Sequence, residues 1–469
     1  MRTEYSLQTG YRLENSGTDE NTTRSVEHGP REMEEMASRI TLEITLERIV
    51  SRGNLYDAYQ RVKANNGAPG IDNMTVKEYP GWYAEHGEEW IASILNGTYK
   101  PLPVRRVEIP KDNKGGKRKL GIPVVKDRVL QQATAQILMP FYECKFAECS
   151  FAYRPHRGAR QAMEVVKRSV EEGYEYACVL DLSKYFDTIN HELLMNMLRQ
   201  DISDKRVIEL IKKFLKSGVM VKGLKQRTEE GSPQGGNLSP LLANIYLTPF
   251  DKEFEGRGVR IVRYADDILI LAKSQRAAER LLKSSTKYLE TRRKLKVNRE
   301  KSKAISVYKT PDFKFLGFSV TKIGKEVKLM PHPNSVAKLK RKLKSLTGRS
   351  KGRGAREIIH KTTEYNRGWV GYYGIADLTR IAGSLDGWVR SRIRMCIWKQ
   401  WKNISTRIDA LLRLHVPRRL AFKWGKSQKG YWCIAHSQIM MTSVTNRILE
   451  KAGFIGLKQS YENIICPRN

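Results

Sequence analysis

The sequence predicts an α+β fold in which a mixed catalytic body with an antiparallel sheet is followed by a helical, strongly basic region. Three observations lead there. Between residues 41 and 330, short continuous apolar runs are mixed with helical patterns. Two of those runs, Val259–Arg263 and Ile268–Ala272, are separated only by Tyr264-Ala-Asp-Asp267, which reads as a hairpin with acids at its tip. After residue 331 the strands give way to helical patterns rich in Lys and Arg.

Taken in order, residues 1–40 are polar and rich in Gly, Ser, Thr, Asn and Glu, with little periodicity, and are expected to be disordered. No apolar stretch follows the early basic residues, so no signal peptide is expected. In the body, Tyr176–Leu180 reads as a buried strand running into Asp181, and His191–Leu198 as the helix that follows. Lys338 to Arg353 holds eight Lys/Arg in sixteen residues and no acid, while Val336, Leu339, Leu343 and Leu346 keep a helical apolar stripe. A later helix repeats this plan, with Leu385, Val389, Ile393, Cys396 and Ile397 on the stripe and Arg390, Arg394 and Lys399 outside it. Trp369, Trp388, Trp398 and Trp401, interleaved with these bases, are expected to pack mainly in the core. The units drawn from these changes are 1–40, 41–330, 331–420 and 421–469.

Composition narrows the partners. The chain has 469 residues, with 85 Lys+Arg against 50 Asp+Glu, a formal net charge of +35 that calls for a polyanion, with nucleic acid first. No apolar run approaches the roughly 18 residues needed to cross a bilayer. A cytoplasmic location is expected. The six cysteines include no C-x-x-C pair and no zinc-type spacing, so free and mostly buried thiols are expected.

Asp181 ends one apolar strand, and Asp266 and Asp267 sit at the hairpin tip 85 residues later, so adjacent antiparallel strands can bring three acids to one sheet edge. Consecutive strand residues face opposite sides, and a tight turn at Ala265–Asp266 relaxes that rule, leaving Asp267 the more peripheral. Such a group suits two-metal phosphodiester synthesis, where two divalent ions about 3.5–4 Å apart activate a 3′-hydroxyl and steady a pyrophosphate. Magnesium fits because it takes one or two carboxylates and leaves its other positions to phosphate and water.

Tyr264-Ala-Asp-Asp267 resembles the central motif of reverse transcriptases, and Asp181-Leu-Ser-Lys-Tyr-Phe-Asp187 resembles their first aspartate motif. Ser232-Pro-Gln-Gly-Gly-Asn-Leu-Ser-Pro240 resembles the family's dNTP-pocket segment, and Phe315-Leu-Gly-Phe318 its primer-grip turn. Asn66–Asp72, Arg118–Pro123, Phe151–Pro155 and Arg367–Tyr373 are similar to group II intron-encoded reverse transcriptase–maturases, and the resemblance covers roughly residues 45–460.

That resemblance implies a right-hand polymerase with fingers and palm over 41–330, a helical thumb and maturase surface over 331–420, and a small DNA-binding tail over 421–469. It implies Asp181, Asp266 and Asp267 as metal-binding catalytic acids for two Mg2+ ions, with Mn2+ as a substitute. Phe186 is implied to exclude a ribose 2′-hydroxyl, and Lys111, Arg118 and Gln234 to hold the incoming dNTP. Tyr264, Leu316 and Gly317 are implied to meet primer or template. Lys301, or equally Lys303, is a candidate for protonating the pyrophosphate. Asn237 departs from the proline of many intron enzymes, which bears on the local turn. After residue 421 only His436 and two cysteines remain, so an endonuclease module and second-strand cleavage are not expected of this chain.

The implied partners are an intron RNA template, a DNA primer or target and dNTPs, with no membrane, in a bacterial cytoplasm. A binding role in splicing is compatible with the polymerase. The alternatives are a maturase without an essential polymerase role, or a domesticated or defence-associated reverse transcriptase without an intron. A catalytic intron RNA in the flanking DNA separates the last from the rest.

Overall fold

The aliphatic runs become a central sheet because both of its faces are covered. The computed structural model describes residues 44–110, 117–221, 224–226, 230–232 and 235–466, so the segment 1–40 expected to be disordered lies outside the described residues. The strands are β1 (Val104–Pro110), β2 (Lys117–Ile122), β3 (Tyr176–Asp181), β4 (Val219–Val221), β5 (Leu224–Gln226), β6 (Arg260–Tyr264), β7 (Asp267–Ala272), β8 (Lys303–Ser306), β9 (Phe318–Ile323) and β10 (Glu326–Pro331). The central sheet runs β6-β7-β3-β8 with every neighbour antiparallel.

Alternate residues serve opposite layers. Cys178, Leu180, Ile268 and Ile270 join a core with Tyr246 and Phe250 of helix Ser239–Gly256 and Leu289 of helix Gln275–Arg292. Ala177, Leu269 and Leu271 join another with Met163 and Val166 of helix Ala159–Glu171. A strand buried on both sides loses the polar alternation of a half-exposed one, which is why these runs read as continuously apolar.

A second sheet, β2-β1-β4-β5, combines an antiparallel β1–β2 ribbon with a short parallel β1–β4 pairing. Beside it, helices Arg52–Ala64 and Tyr79–Leu95 bring Tyr59 onto Tyr79 at 5.1 Å and Trp90 edge-on to Tyr99 at 6.3 Å. The hairpin β9–β10 then leads into the helices Pro333–Leu346, Ala355–Tyr373 and Thr379–Gln400. An α+β body followed by a helical region is the fold class expected from the sequence.

Three expectations need correction. The basic run does not stay helical to Arg353: the helix ends at Leu346, where the Thr347 hydroxyl donates back to the Leu343 carbonyl at 2.7 Å, and Gly348 and Gly352 follow. Arg394 does not point to solvent. It is buried and donates to the Val444 carbonyl at 2.8 Å and to Asn446 at 2.9 Å, because the chain after residue 430 packs on that side of its helix. All six cysteines are free, but Cys144, Cys433 and Cys466 are exposed.

The last described residues close over the same helices. Asp386 accepts the amides of Leu457 and Lys458 at the start of helix Leu457–Ile465, at 2.7 and 3.0 Å. Thr363 and Asn366 hold the backbone of Gly453 and Ile455.

Candidate active site

β7 leaves the β6 hairpin through a two-residue turn, Ala265–Asp266, closed by the Tyr264–Asp267 pair. Ala265 takes φ 57°, a left-handed conformation that a residue with a Cβ adopts only under constraint. Arg263 supplies that constraint. Fully buried, it donates to both carboxylate oxygens of Asp251, to Asn244 at 2.9 Å, to Ser150 at 2.7 Å and to the Ala265 carbonyl at 3.2 Å. The turn therefore rests on a fully satisfied buried guanidinium.

Across the sheet, Asp181 is the register partner of Asp267, so the first acid stands beside the hairpin that carries the other two. The Asp181 amide donates to the Ser302 hydroxyl at 3.0 Å, and its carbonyl accepts from the Asn298 amide at 2.8 Å. Lys301 Nζ reaches the Asp181 carboxylate at 3.1 Å, whereas Lys303 lies on β8 opposite Val179. Of the two lysine candidates, Lys301 is the one in contact with an acid.

Burial first, and like charge after it, act on these acids. Lost hydration, then repulsion from Asp181, raises the Asp266 carboxyl despite help from its own backbone amide, Arg118 and Lys301. Asp267 is accessible to water, yet enough protein crowds it that lost hydration, followed by Asp266 and Asp181, raises it to about 6. Lys314 and Arg118 act against that rise. Arg118, exposed on β2, thus stands within the field of the acids.

Phe186 lies in the short 3-10 turn Tyr185–Asp187 after β3, half-buried against Tyr185. Its carbonyl accepts the Ser232 amide at 2.6 Å, which holds Ser232 against it. Gly231 has φ 86°, and a Cβ there would meet the Asp187 backbone at 2.7 Å. Asn237, the departure from proline, donates to Gln132 at 3.0 Å. Gln234 and Lys111 lie outside the described residues.

Leu316 and Gly317 form a turn with φ 47° and 84° between the mutually hydrogen-bonded Phe315 and Phe318. It is held from the helical region: Tyr372 donates to the Leu316 carbonyl at 2.9 Å, Ser335 to the Gly317 carbonyl at 2.9 Å, and a Cβ on Gly317 would stand 2.5 Å from the Tyr373 hydroxyl. The Tyr372 phenol is raised by burial, then by Tyr373, Tyr264 and Asp267, so the turn's support borders the acids.

Sequence reasoning missed Arg263, Ser302, Tyr153 and Tyr372. Arg263 left a signal, a second charge beside Arg260 in the otherwise apolar run Val259–Arg263, and Tyr153 and Tyr372 lie in quoted motifs; burial and then Asp266 push the Tyr153 phenol up to about 12. Ser302 left none. Among the described residues no group of three or more Asp, Glu, His or Cys side chains is gathered closely enough to hold a metal ion by itself.

Two antiparallel strands thus bring Asp181, Asp266 and Asp267 to one end of the central sheet, with Lys301 beside Asp181. Reverse transcriptase (RNA-dependent DNA polymerase) is matched by residues 109–320, and the group II intron maturase-specific domain by residues 336–414. The chain is 33% identical over 303 residues to Protein YkfC of Escherichia coli (strain K12), covering 56% of this chain and 79% of that one. It is 40% identical over 199 residues to Group II intron-encoded protein LtrA of Lactococcus lactis subsp. cremoris, which is 42% of this chain but only 33% of LtrA. An apo telomerase from Candida tropicalis has 14% identity and a TM-score of 0.41, over 79% of this chain and 74% of that one. The chain belongs to the reverse transcriptases of the group II intron maturase family. It is an RNA-directed DNA polymerase that depends on divalent metal and binds nucleic acid. No helix among the described residues is long and apolar enough to cross a membrane.

Proposed function

We propose that Asp181, Asp266 and Asp267 hold two Mg2+ ions, replaceable by Mn2+, and that the chain extends a DNA primer along the RNA of its own group II intron. The observation that carries this reading is the register pairing of Asp181 with Asp267 beside the turn that presents Asp266. Bound divalent ions would activate the primer 3′-hydroxyl and neutralise the departing pyrophosphate. Arg118 and Lys111 hold the triphosphate, Gln234 borders the incoming nucleotide, and Phe186 closes the space a 2′-hydroxyl would occupy. Tyr264 and the Leu316–Gly317 turn position primer and template. Lys301, 3.1 Å from the Asp181 carboxylate, donates a proton to the pyrophosphate.

The fingers and palm span 41–330, the thumb and maturase surface 331–420, and the DNA-binding tail 421–469. The same protein binds the folded intron to assist splicing and retrohoming, and works in a bacterial cytoplasm. Primer extension on an RNA template with Mg2+ and dNTPs tests the reading. The parent extends, while Asp181→Ala and Asp266→Ala lose extension but keep RNA binding; extension surviving in either variant would remove that acid from the metal site.

A further inference from the structure

Helix Gln275–Arg292 covers the central sheet with Ala278, Ser285 and Leu289. Its outer face carries Arg276, Arg280, Lys283 and Lys287 at intervals of four, three and four residues, so the four cations form one line along the helix. All four are exposed, and none of their side chains has a hydrogen-bond or ion-pair partner among the described residues. Glu279, which accepts from Gln275 at 2.9 Å, stands one turn from Arg276 and from Lys283, so the face keeps a net positive charge of three that repels itself and attracts a polyanion. The line is about 16 Å long at 1.5 Å per residue.

It ends in a cavity of about 470 Å³ lined by Lys283, Thr286, Lys287, Thr291, Arg299 and Ser302. Glu290, also at its wall, is engaged by Arg299 at 2.7 Å and leaves the two lysines unanswered. Ser302 accepts the Asp181 amide through its oxygen, so its own hydroxyl proton is free to donate. Ammonium groups and hydroxyls converging on one concavity suit a phosphate. A membrane surface suits the face poorly, because an interfacial helix needs an apolar wedge and no large apolar side chain of this helix is exposed.

We propose that this face is a second nucleic-acid surface, which binds the sugar–phosphate backbone of folded RNA outside the primer–template cleft and seats one phosphate in the cavity behind Asp181. The identity of the ligand as RNA rests on the reading given under Proposed function.

The test uses the full chain and a structured RNA without primer, with binding measured across a salt series. In the variant carrying Arg276→Gln, Arg280→Gln, Lys283→Gln and Lys287→Gln, affinity falls at least about tenfold and the slope against log salt flattens by roughly 3. Extension of a short DNA primer on a short RNA template stays at the parent rate, and Arg276→Lys with Arg280→Lys keeps parent affinity. Unchanged RNA affinity and slope in the fourfold variant would overturn the proposal. So would an equal loss of primer extension, or a loss confined to phosphatidylserine vesicles. A parent that binds RNA through this face yet extends no primer would sink the polymerase reading and leave this one standing.

Discussion

At the scale of single residues, Arg263 is where packing and chemistry meet. Its guanidinium and the Asp251 carboxylate are both wholly buried, and burial raises the carboxyl even against the pull of the guanidinium. Removing one partner strands the other. Arg263→Met is therefore expected to destabilise the chain by about 3–5 kcal/mol in urea denaturation, while the double variant with Asp251→Leu recovers much of that loss. A single variant as stable as the parent would show that the pair does not support the turn. Phe186 makes a different prediction. Phe186→Ala opens the space beside the sugar, and the preference for dNTP over rNTP is expected to fall roughly tenfold or more in single-nucleotide incorporation. An unaltered preference would mark Phe186 as packing alone.

Between elements, the Leu316–Gly317 turn depends on a helix 56 residues further on. Tyr372→Phe removes one donor to the Leu316 carbonyl and leaves the ring stacked 5.7 Å from Phe318. Primer KM should rise with the melting temperature nearly unchanged; a lower melting temperature at constant KM would make the bond merely structural. The start of the described chain makes another such link. Asp204 accepts the Leu46 amide at 3.0 Å and is bonded by Arg206, which also grips Glu47. Burial would raise the Asp204 carboxyl, but the Arg206 side chain and the Leu46 and Arg206 amides outweigh it and leave it lowered. Hydrogen bonding from Arg206 and a backbone amide lowers Glu47 as well. Carboxyls lowered on folding stabilise above their unfolded values and lose that contribution as pH falls through the folded ones. The urea midpoint should thus drop below about pH 4, and less so in Asp204→Asn.

How legible these elements were follows from their physics. Strands β3, β6 and β7 announced themselves because local apolar runs and turn acids set them, and their register followed from the acids having to meet. Arg394 and Ser302 did not, since their partners, Val444 and the Asp181 amide, are 50 and 121 residues away and no local pattern encodes such contacts. The end of helix Pro333–Leu346 was blurred because the lysines continue past the glycines that stop it.

Over the whole molecule, a formal charge of +35 makes every nucleic-acid contact sensitive to salt. Affinity for an RNA–DNA duplex should fall linearly in log–log form as salt rises, with a slope that counts the phosphates neutralised. A slope near zero would contradict a phosphate-lined groove.

The caps that Asp386 gives to Leu457 and Lys458 span 71 and 72 residues, and Thr363 reaches 90 residues to Gly453. A protein made from its N-terminus onward must hold these helices without those contacts until residues 453–458 have been made. Synthesis from the N-terminus therefore delivers Tyr372, and with it the brace on the Leu316 turn, before the segment that holds Thr363 of the same helix.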